Sequence, residues 1–317
     1  MASIIDRTGA TALIPEDASR DIIQSVTSSS AVLQLARRMP NMNRAQQRLP
    51  MLSTLPTAYF VNGDTGLKET SNVSWENVYI NAEELAVIVP IPEAVLADAD
   101  YDIWTQIQPL IIEAFGVAID AAVLHGTNAP ASWPDDLATQ ITSASHTVDE
   151  DDAAFPDLFD ALLGRGTGDE SSVFALVEED GFMVNGVLAQ PVMKSKLRGL
   201  RDSNGQPIFV SDFKGSASYS LDGNPLTFVE NGAMAATVRA FAGDWSQLVY
   251  AMRQDLTYKM ATEATIQNAG GTVEYNLFQQ DMVALRAVMR LGWALPNPLN
   301  RTNQTDATRL PFASLLA

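Results

Sequence analysis

YDIWTQIQPLIIEAFGVAIDAAVLHG, residues 101–126, is the stretch on which the reading of the fold turns. Ile103, Ile107, Leu110, Ala114, Val117, Ala121 and Leu124 recur at spacings of three and four, the period of one helix face. Asp100 suits the N-cap and Asp102 the first turn, where carboxylates meet unsatisfied N–H groups. Pro109 can bend the pattern without ending it. The spacing predicts a helix over 101–125, a rod several turns long. His125 falls in its last turn, where a positive or polarisable group suits the dipole. Gly126 can adopt the left-handed conformation that stops a helix, and Pro130 prevents its resumption. A histidine beside glycine could instead centre a ligand site, but its place at a helix end makes a structural role the better expectation.

Upstream, residues 1–14 have few apolar anchors and read as an extended arm. Pro15, with Glu16 and Asp17 behind it, opens one or two short helices before residue 36. Arg37, Arg38, Arg44 and Arg48 form a basic linker whose arginines pair with acids elsewhere. Tyr59, Phe60 and Val61 run into NGDTG (62–66), a turn signal, and Leu85, Val87 and Val89 alternate as on a return strand. This long two-stranded loop, about residues 50–82, has little core of its own. Such an arm is mobile or packs on a neighbouring chain. PEAVLADAD (92–100) is a short helix leading into the long one.

Downstream the texture changes. FPDLFDALLGRG (155–166) reads as a helix and SSVFALV (171–177) as a strand. PVMKSKLRGLRDSNGQPIF (191–209) reads as a helix, a turn at Asn204–Gly205 and a strand. NPLTFVEN (224–231) and FAGDWSQLVYAM (241–252) supply further strands. Residues 143–250 thus read as an inserted α/β or α+β segment. From residue 251 the chain returns with a hairpin over about 256–275, turning at Gly270–Gly271. Phe278, Met282, Leu285 and Met289 share a helix face, RLGWALP (290–296) is a closing strand, and a tail follows.

Composition bounds the function. With 317 residues, 46% of them hydrophobic and 18% charged, the chain can bury a sizeable core. Cys 0 and His 2 exclude disulfides, thiolate metal sites and a multi-histidine centre. No basic-then-apolar start and no run of about 18 uncharged apolar residues is visible, so neither a secretory signal nor a membrane span is expected. The net charge is −18, and Glu69 to Gly164 holds 18 of the 38 acids with no Lys or Arg. Such a surface repels phosphate, so sequence-specific DNA binding is not expected.

Motifs for chemistry are lacking. Asp149, Glu150, Asp151 and Asp152 lack calcium-loop spacing and read as a solvated loop. There is no Walker A, dinucleotide or nucleophile-elbow motif, and GRGTGDE (164–170) follows a helix instead of opening one. Lys194, Lys196, Arg198 and Arg201 recur on a predicted helix and read as pairing with acids of a neighbouring domain. The chain reads as no enzyme, with no catalytic, cofactor or metal residue.

The order of parts resembles the major capsid proteins of tailed phages, the Hong-Kong-97-like fold, over nearly the whole chain. IPEAVLADADYDIW (91–104) resembles the lead-in to that family's spine helix. DAAVLHGTNAPAS (120–132) resembles its terminus, with Asp120, Leu124 and Gly126 in a D-x-A-x-L-x-G pattern. LAQPVMKSKLRGLRDSNGQPIF (188–209) resembles the axial-domain helix and turn, with Leu200, Asp202 and Gly205 in register. FAGDWSQLVYAM resembles the G-D-[FW] strand, and VALRAVMRLGWALPNP (283–298) the closing helix and strand of the peripheral domain. Each motif alone is weak; their order carries the resemblance.

The resemblance implies an α+β subunit with an N-terminal arm (1–36), an extended loop plus peripheral domain (37–142), an axial domain (143–250) and a return to the peripheral domain (251–317). It implies a structural protein that assembles with itself into pentamers and hexamers of an icosahedral virion shell around double-stranded DNA. Assembly would occur in the host bacterial cytoplasm, with a scaffolding protein, a portal and possible decoration proteins as partners. Tyr59, Asp64, Lys68, Glu69 and Trp75 would touch a neighbour through the loop, and Arg7, Glu16 and Asp17 through the arm. Tyr258, Lys259, Glu263 and Glu274 would meet near local threefold axes, while His125 and Gly126 cap the spine helix. Asp98, Asp102, Glu113 and Asp120 would face the cavity and limit DNA sticking to the wall. Some members cross-link Lys to Asn with the help of a buried Glu. Lys68 is the only lysine in the loop here and Val288 and Met289 have no acid beside them, so no cross-linking is expected. Some members carry a scaffold segment ahead of the arm; with the arm read as beginning almost at Met1, a separate scaffold is expected. The alternatives are an encapsulin-type compartment around protein cargo, a hydrolase using His125 or the acidic run, and a small tail component.

Overall fold

A computed structural model describes residues 29–61, 66–98, 103–168, 170–201, 204–206 and 219–317. Arg7, Glu16, Asp17, Asp64 and Asp102, the helix signals at Pro15 and Asp100, and the strand expected from Pro207 lie outside the described residues. The N-terminal half runs α1 (Ala31–Leu35), β1 (Arg37–Arg38), β2 (Gln46–Thr54), β3 (Ser74–Asn81), β4 (Glu83–Pro92), α2 (Glu93–Asp98), α3 (Ile103–His125) and α4 (Leu137–Ser143). There follow β5 (Thr147–Asp149), α5 (Leu158–Leu162), α6 (Val173–Glu179), β6 (Gly186–Ala189), α7 (Pro191–Gly199), β7 (Ser220–Leu221), β8 (Asn224–Phe228) and β9 (Val238–Gly243). The chain ends with β10 (Val249–Ala261), β11 (Thr265–Gln267), β12 (Val273–Asn276), β13 (Met282–Ala294) and β14 (Phe312–Leu316).

Two larger sheets organise the molecule, in the orders β1-β10-β13-β4 and β5-β14-β9-β6-β8-β7. The ribbons β2-β3 and β11-β12 stand apart from them. One core joins both sheets. Ile111, Phe115, Ile119 and Val123 of α3 share it with Leu285, Met289 and Trp293 of β13 and with Leu188, Phe241 and Phe312 of the six-stranded sheet. The opposite face of that sheet presents Val187, Ala189, Ala242 and Leu315 to a second core, closed by α5, α6 and α7 through Leu158, Phe174 and Met193. Strand residues alternate between the two cores because successive side chains leave a strand on opposite faces.

Five expectations are corrected. The helix placed over Phe278–Met289 is instead a turn followed by β13, a strand paired with β10 on one side and β4 on the other. A strand buried on both faces is a near-continuous apolar run, and such a run contains helical spacings by accident. The return strand of the extended loop is β3, not Leu85–Val89, which belong to β4 and pair with β13. SSVFALV forms α6, because Ser172 caps the Ala175 N–H and starts a helix that buries Val173, Phe174 and Val177. The C-terminal residues are no tail: β14 lies between β5 and β9, with Phe312, Ala313 and Leu315 buried. The acidic run is not wholly solvated, since the Glu150 carboxylate lies between Lys196 and Arg239.

The long helix is present as expected, with Pro109 inside it. By length and composition Ile107–His125 could cross a membrane, but here one face of it builds the core.

Candidate assembly surfaces

The β2-β3 ribbon is the strongest candidate surface. Cross-strand pairs Leu52–Trp75, Pro50–Asn77 and Arg48–Tyr79 share one face; Met51–Glu76, Leu49–Val78 and Gln47–Ile80 share the other. At the ribbon's base the second face anchors it, with Ile80 buried against Met42, Val249 and Ala294. Among the described residues the first face is largely bare: Trp75 is 68% exposed and Tyr79 is also exposed, with Leu52 half-buried. Beyond the ribbon, Phe60 is fully exposed and Leu67 nearly so. An exposed aromatic face marks an interaction site.

The outer segment is held by a few polar contacts. The Tyr59 hydroxyl donates to the Glu69 carbonyl at 2.7 Å, and the Thr57 N–H donates to Ser71 Oγ at 2.8 Å. Arg301 donates to the Pro56 carbonyl at 2.7 Å, bracing the arm from the C-terminal loop. Tyr59 and Glu69 are therefore together, with Lys68 exposed next to them and Trp75 farther in on β3. The brace from Arg301 has no signal in the sequence, because it joins residues 245 apart.

The second candidate is the hairpin that extends the β10-β13 ladder. Asn268 shapes its tip, its Oδ1 accepting from Gly270 and Thr272 N–H at 3.0 Å. Gly271 takes φ +78°, the left-handed region open to glycine. Lys259, Glu263 and Glu274 are exposed along it. Tyr258 differs from them: its ring packs on the core, and its buried hydroxyl has no hydrogen-bond partner among the described residues. Burial pushes that phenol up from its ordinary value. Val273 and Phe278 add exposed apolar area nearby.

At the end of α3, Gly126 has φ +64°. Its N–H donates to the Ala122 carbonyl at 3.1 Å, and the Thr127 N–H to the Ala121 carbonyl at 3.2 Å. These bonds close the last turn of the helix. His125 Nε2 accepts the Ala235 N–H at 3.0 Å, and its ring lies 5.7 Å from Phe241. Burial pushes the imidazole down, against a smaller upward pull from Asp136. An accepting Nε2 belongs to a neutral ring, so His125 supplies no positive charge to the helix end.

Asp120 also departs from expectation. It is fully buried and faces no cavity. Its carboxylate accepts from Ser30 Oγ, from the Ala31 and Val32 N–H groups and from Asn231 Nδ2. Burial pushes the carboxyl up from its ordinary value, and these donors pull it back only in part. The D-x-A-x-L-x-G pattern thus has a structural account: Asp120 caps α1, Leu124 is fully buried and Gly126 ends the helix. Glu113, by contrast, is exposed. Among the described residues no group of three His, Asp or Glu side chains is placed to hold a metal ion.

Comparison with known proteins fits this arrangement of bare arms on a continuous core. The phage capsid family model matches residues 10–299. The major capsid protein of Staphylococcus phage 80alpha is 28% identical over 278 residues, covering 86% of this chain and 78% of that protein. The probable major capsid protein gp17 of Mycobacterium phage D29 is 26% identical, covering 86% of this chain and 83% of that protein. A solved chain from Microbacterium phage Oxtober96 superposes with a TM-score of 0.76 at 34% identity, covering 99% of both chains. One from Mycobacterium phage Adephagia gives 0.74 at 28% identity, covering 99% of this chain and 98% of that one. With nine-tenths of its length inside the family model, this chain belongs to the phage capsid family.

Proposed function

We infer that the chain is a major capsid protein, a structural subunit that builds a tailed-phage head from many copies of itself. The observation that carries this reading is the aromatic face of the β2-β3 ribbon, exposed among the described residues and present in a member of the phage capsid family. An apolar face on a two-stranded arm gains its burial from a second chain. The work is assembly, with no turnover and no catalytic residue.

The finer reading follows the Hong-Kong-97-like plan. The β2-β3 arm, with Tyr59, Asp64, Lys68, Glu69 and Trp75, overlies a neighbouring copy. The N-terminal arm, with Arg7, Glu16 and Asp17, reaches across copies. The hairpin from the end of β10 through β12, with Lys259, Glu263 and Glu274, meets its equivalents near local threefold axes; Tyr258 belongs to its packed base. The four-stranded sheet with α3 is the peripheral domain, and the six-stranded sheet is the axial domain around fivefold and sixfold axes. Pentamers and hexamers so formed enclose double-stranded DNA without reading its sequence. Assembly takes place in the host cytoplasm with scaffold and portal, and a decoration protein can add to the shell. No covalent cross-link joins the copies.

Electron microscopy and sizing of the purified chain test this. Megadalton shells are expected, and monomers or small rings would overturn the reading. Trp75→Ala together with Tyr79→Ala should leave the monomer folded by circular dichroism and reduce shell yield at least tenfold. Nucleic acid inside shells separates a phage head from a compartment filled with protein cargo. A ladder of covalent oligomers on denaturing gels would overturn the absence of cross-links.

A further inference from the structure

Helix α3 is apolar on two sides, and the fold covers the second only in part: Val117 and Ala121 are half-buried against the core, while Leu110 and Ala114 are exposed. Ile111, Phe115, Ile119 and Val123 enter the core. Leu110, Ala114, Val117 and Ala121, the stripe that the sequence marks as the buried one, line an open groove of about 600 Å³ between α3 and β4. Leu110 is 63% exposed there. Trp133 closes one end, its indole N–H donating to the Asn81 carbonyl at 3.1 Å. An apolar strip left open to water on a helix marks an interaction site.

The rim is acidic. Glu83, Glu84 and Glu113 line the groove. Glu83 accepts a hydrogen bond from Ser132 Oγ, and Glu84 reaches Arg290 at 3.8 Å across exposed surface. No Lys or Arg occurs between Glu69 and Gly164, so Glu113 has no cation on its own helix and Glu83 none on β4. An apolar floor under a negative rim is complementary to apolar side chains flanked by cations. The stripe from Leu110 to Ala121 covers about three helical turns, the length of a short docked helix.

We propose that this groove is a docking site for a cationic amphipathic helix carried by a different protein. The described part of this chain offers no such helix to a second copy. Its one helix rich in cations is α7, with Lys194, Lys196 and Arg198, and α7 already buries Met193 and Leu197 in its own core. The proposal does not depend on the shell reading, because it concerns a face of the folded chain and not the contacts between copies.

The test uses the full-length chain and a fluorescein-labelled 18-residue helix with one leucine face and lysines elsewhere. A second probe keeps the leucines and replaces lysine by glutamate. Saturable binding of the lysine helix is expected, with at least tenfold weaker binding of the glutamate helix. Glu83→Gln with Glu113→Gln should weaken binding of the lysine helix about fivefold and reduce its salt dependence. Ala114→Trp, at an exposed position that fills the groove, should abolish binding with an unchanged circular dichroism spectrum. Failure of the lysine helix to bind, or undiminished binding to the Ala114→Trp chain, overturns the proposal. So does a benzophenone side chain placed at Leu110 that cross-links to the chain's own residues or to a second copy. Shells that form normally while the helix fails to bind would sink this proposal and leave the assembly reading standing.

Discussion

Ser30 Oγ donates to Asp120 Oδ1 at 2.5 Å across 90 residues of sequence, fastening the start of α1 to the middle of α3. The same carboxylate takes the Ala31 N–H at 2.9 Å and the Val32 N–H at 3.1 Å, so a side chain of one helix caps another. Asn231 Nδ2 adds a third segment at 2.8 Å. Asp120→Ala leaves these buried donors without an acceptor, and an unfolding free energy lower by about 3 kcal/mol is expected from denaturant titration.

The pH dependence of Asp120 has a definite sign. Burial raises its carboxyl in the folded chain, so the folded state holds the proton at pH values where the unfolded chain has released it. Its contribution to stability is full below the unfolded value of 3.8 and is lost as pH rises through the folded one. Asp120→Asn should therefore flatten the fall in stability above about pH 4. An unchanged pH profile in urea melts would show that the proton is not taken up there.

Glu150 shows the opposite behaviour. Burial pushes its carboxyl up, but hydrogen bonds and charge from Lys196 and Arg239 outweigh that and hold it below 4.5. Its contribution is present above the unfolded value and is lost as pH falls through the folded one. Glu150→Gln should cost about 1 kcal/mol at neutral pH and nothing in strong acid, because the ion pairs reach solvent. Thermal melts at both pH values check this.

Asp180, at the end of α6, ties the C-terminal loop to that helix. It accepts the Leu310 N–H at 2.6 Å and Asn303 Nδ2 at 2.7 Å. His146 Nε2 lies 3.3 Å away, and His146 Nδ1 bonds the Phe312 carbonyl at 3.1 Å. Asp180→Ala should cost about 2 kcal/mol and speed proteolysis within 297–310. Cleavage sites mapped by mass spectrometry would reveal whether that loop is the part released.

Two glycines differ in what they tolerate. Gly126→Ala places a Cβ at positive φ and 2.8 Å from Asp136 Oδ1, a side-chain atom that can move; about 1 kcal/mol is expected. Gly292→Ala puts its Cβ 2.2 Å from the Asn81 carbonyl oxygen, which is backbone at the base of the β2-β3 arm. That variant should lose more than about 3 kcal/mol or fail to accumulate in soluble form, and paired expression and melting curves compare the two.

The long helix, its glycine stop and the existence of a two-stranded loop over about 50–82, though not its return strand, were legible because each rests on a local pattern. Period, capping residue and lack of nearby core do not require knowledge of distant segments. Met282–Ala294 was not legible as a strand, since its second edge is paired by β4, which lies far upstream in sequence. The Leu110–Ala121 stripe was legible as apolar, but not that Leu110 and Ala114 stay exposed while Val117 and Ala121 pack on the core. Periodicity shows that a face avoids water without showing which face the core covers.

By itself, the sequence determined that this is an α+β chain without thiol or multi-histidine chemistry, built around one long helix. Its ordered motifs pointed to the family that comparison bears out. The tertiary structure alone decided that Asp120 is a buried clamp and not a wall charge. It also decided that β14 completes a sheet and that α3 leaves an apolar strip open. Those outcomes depend on pairing and packing between residues tens to hundreds of positions apart. Free energy there comes from contacts that no local window of sequence contains.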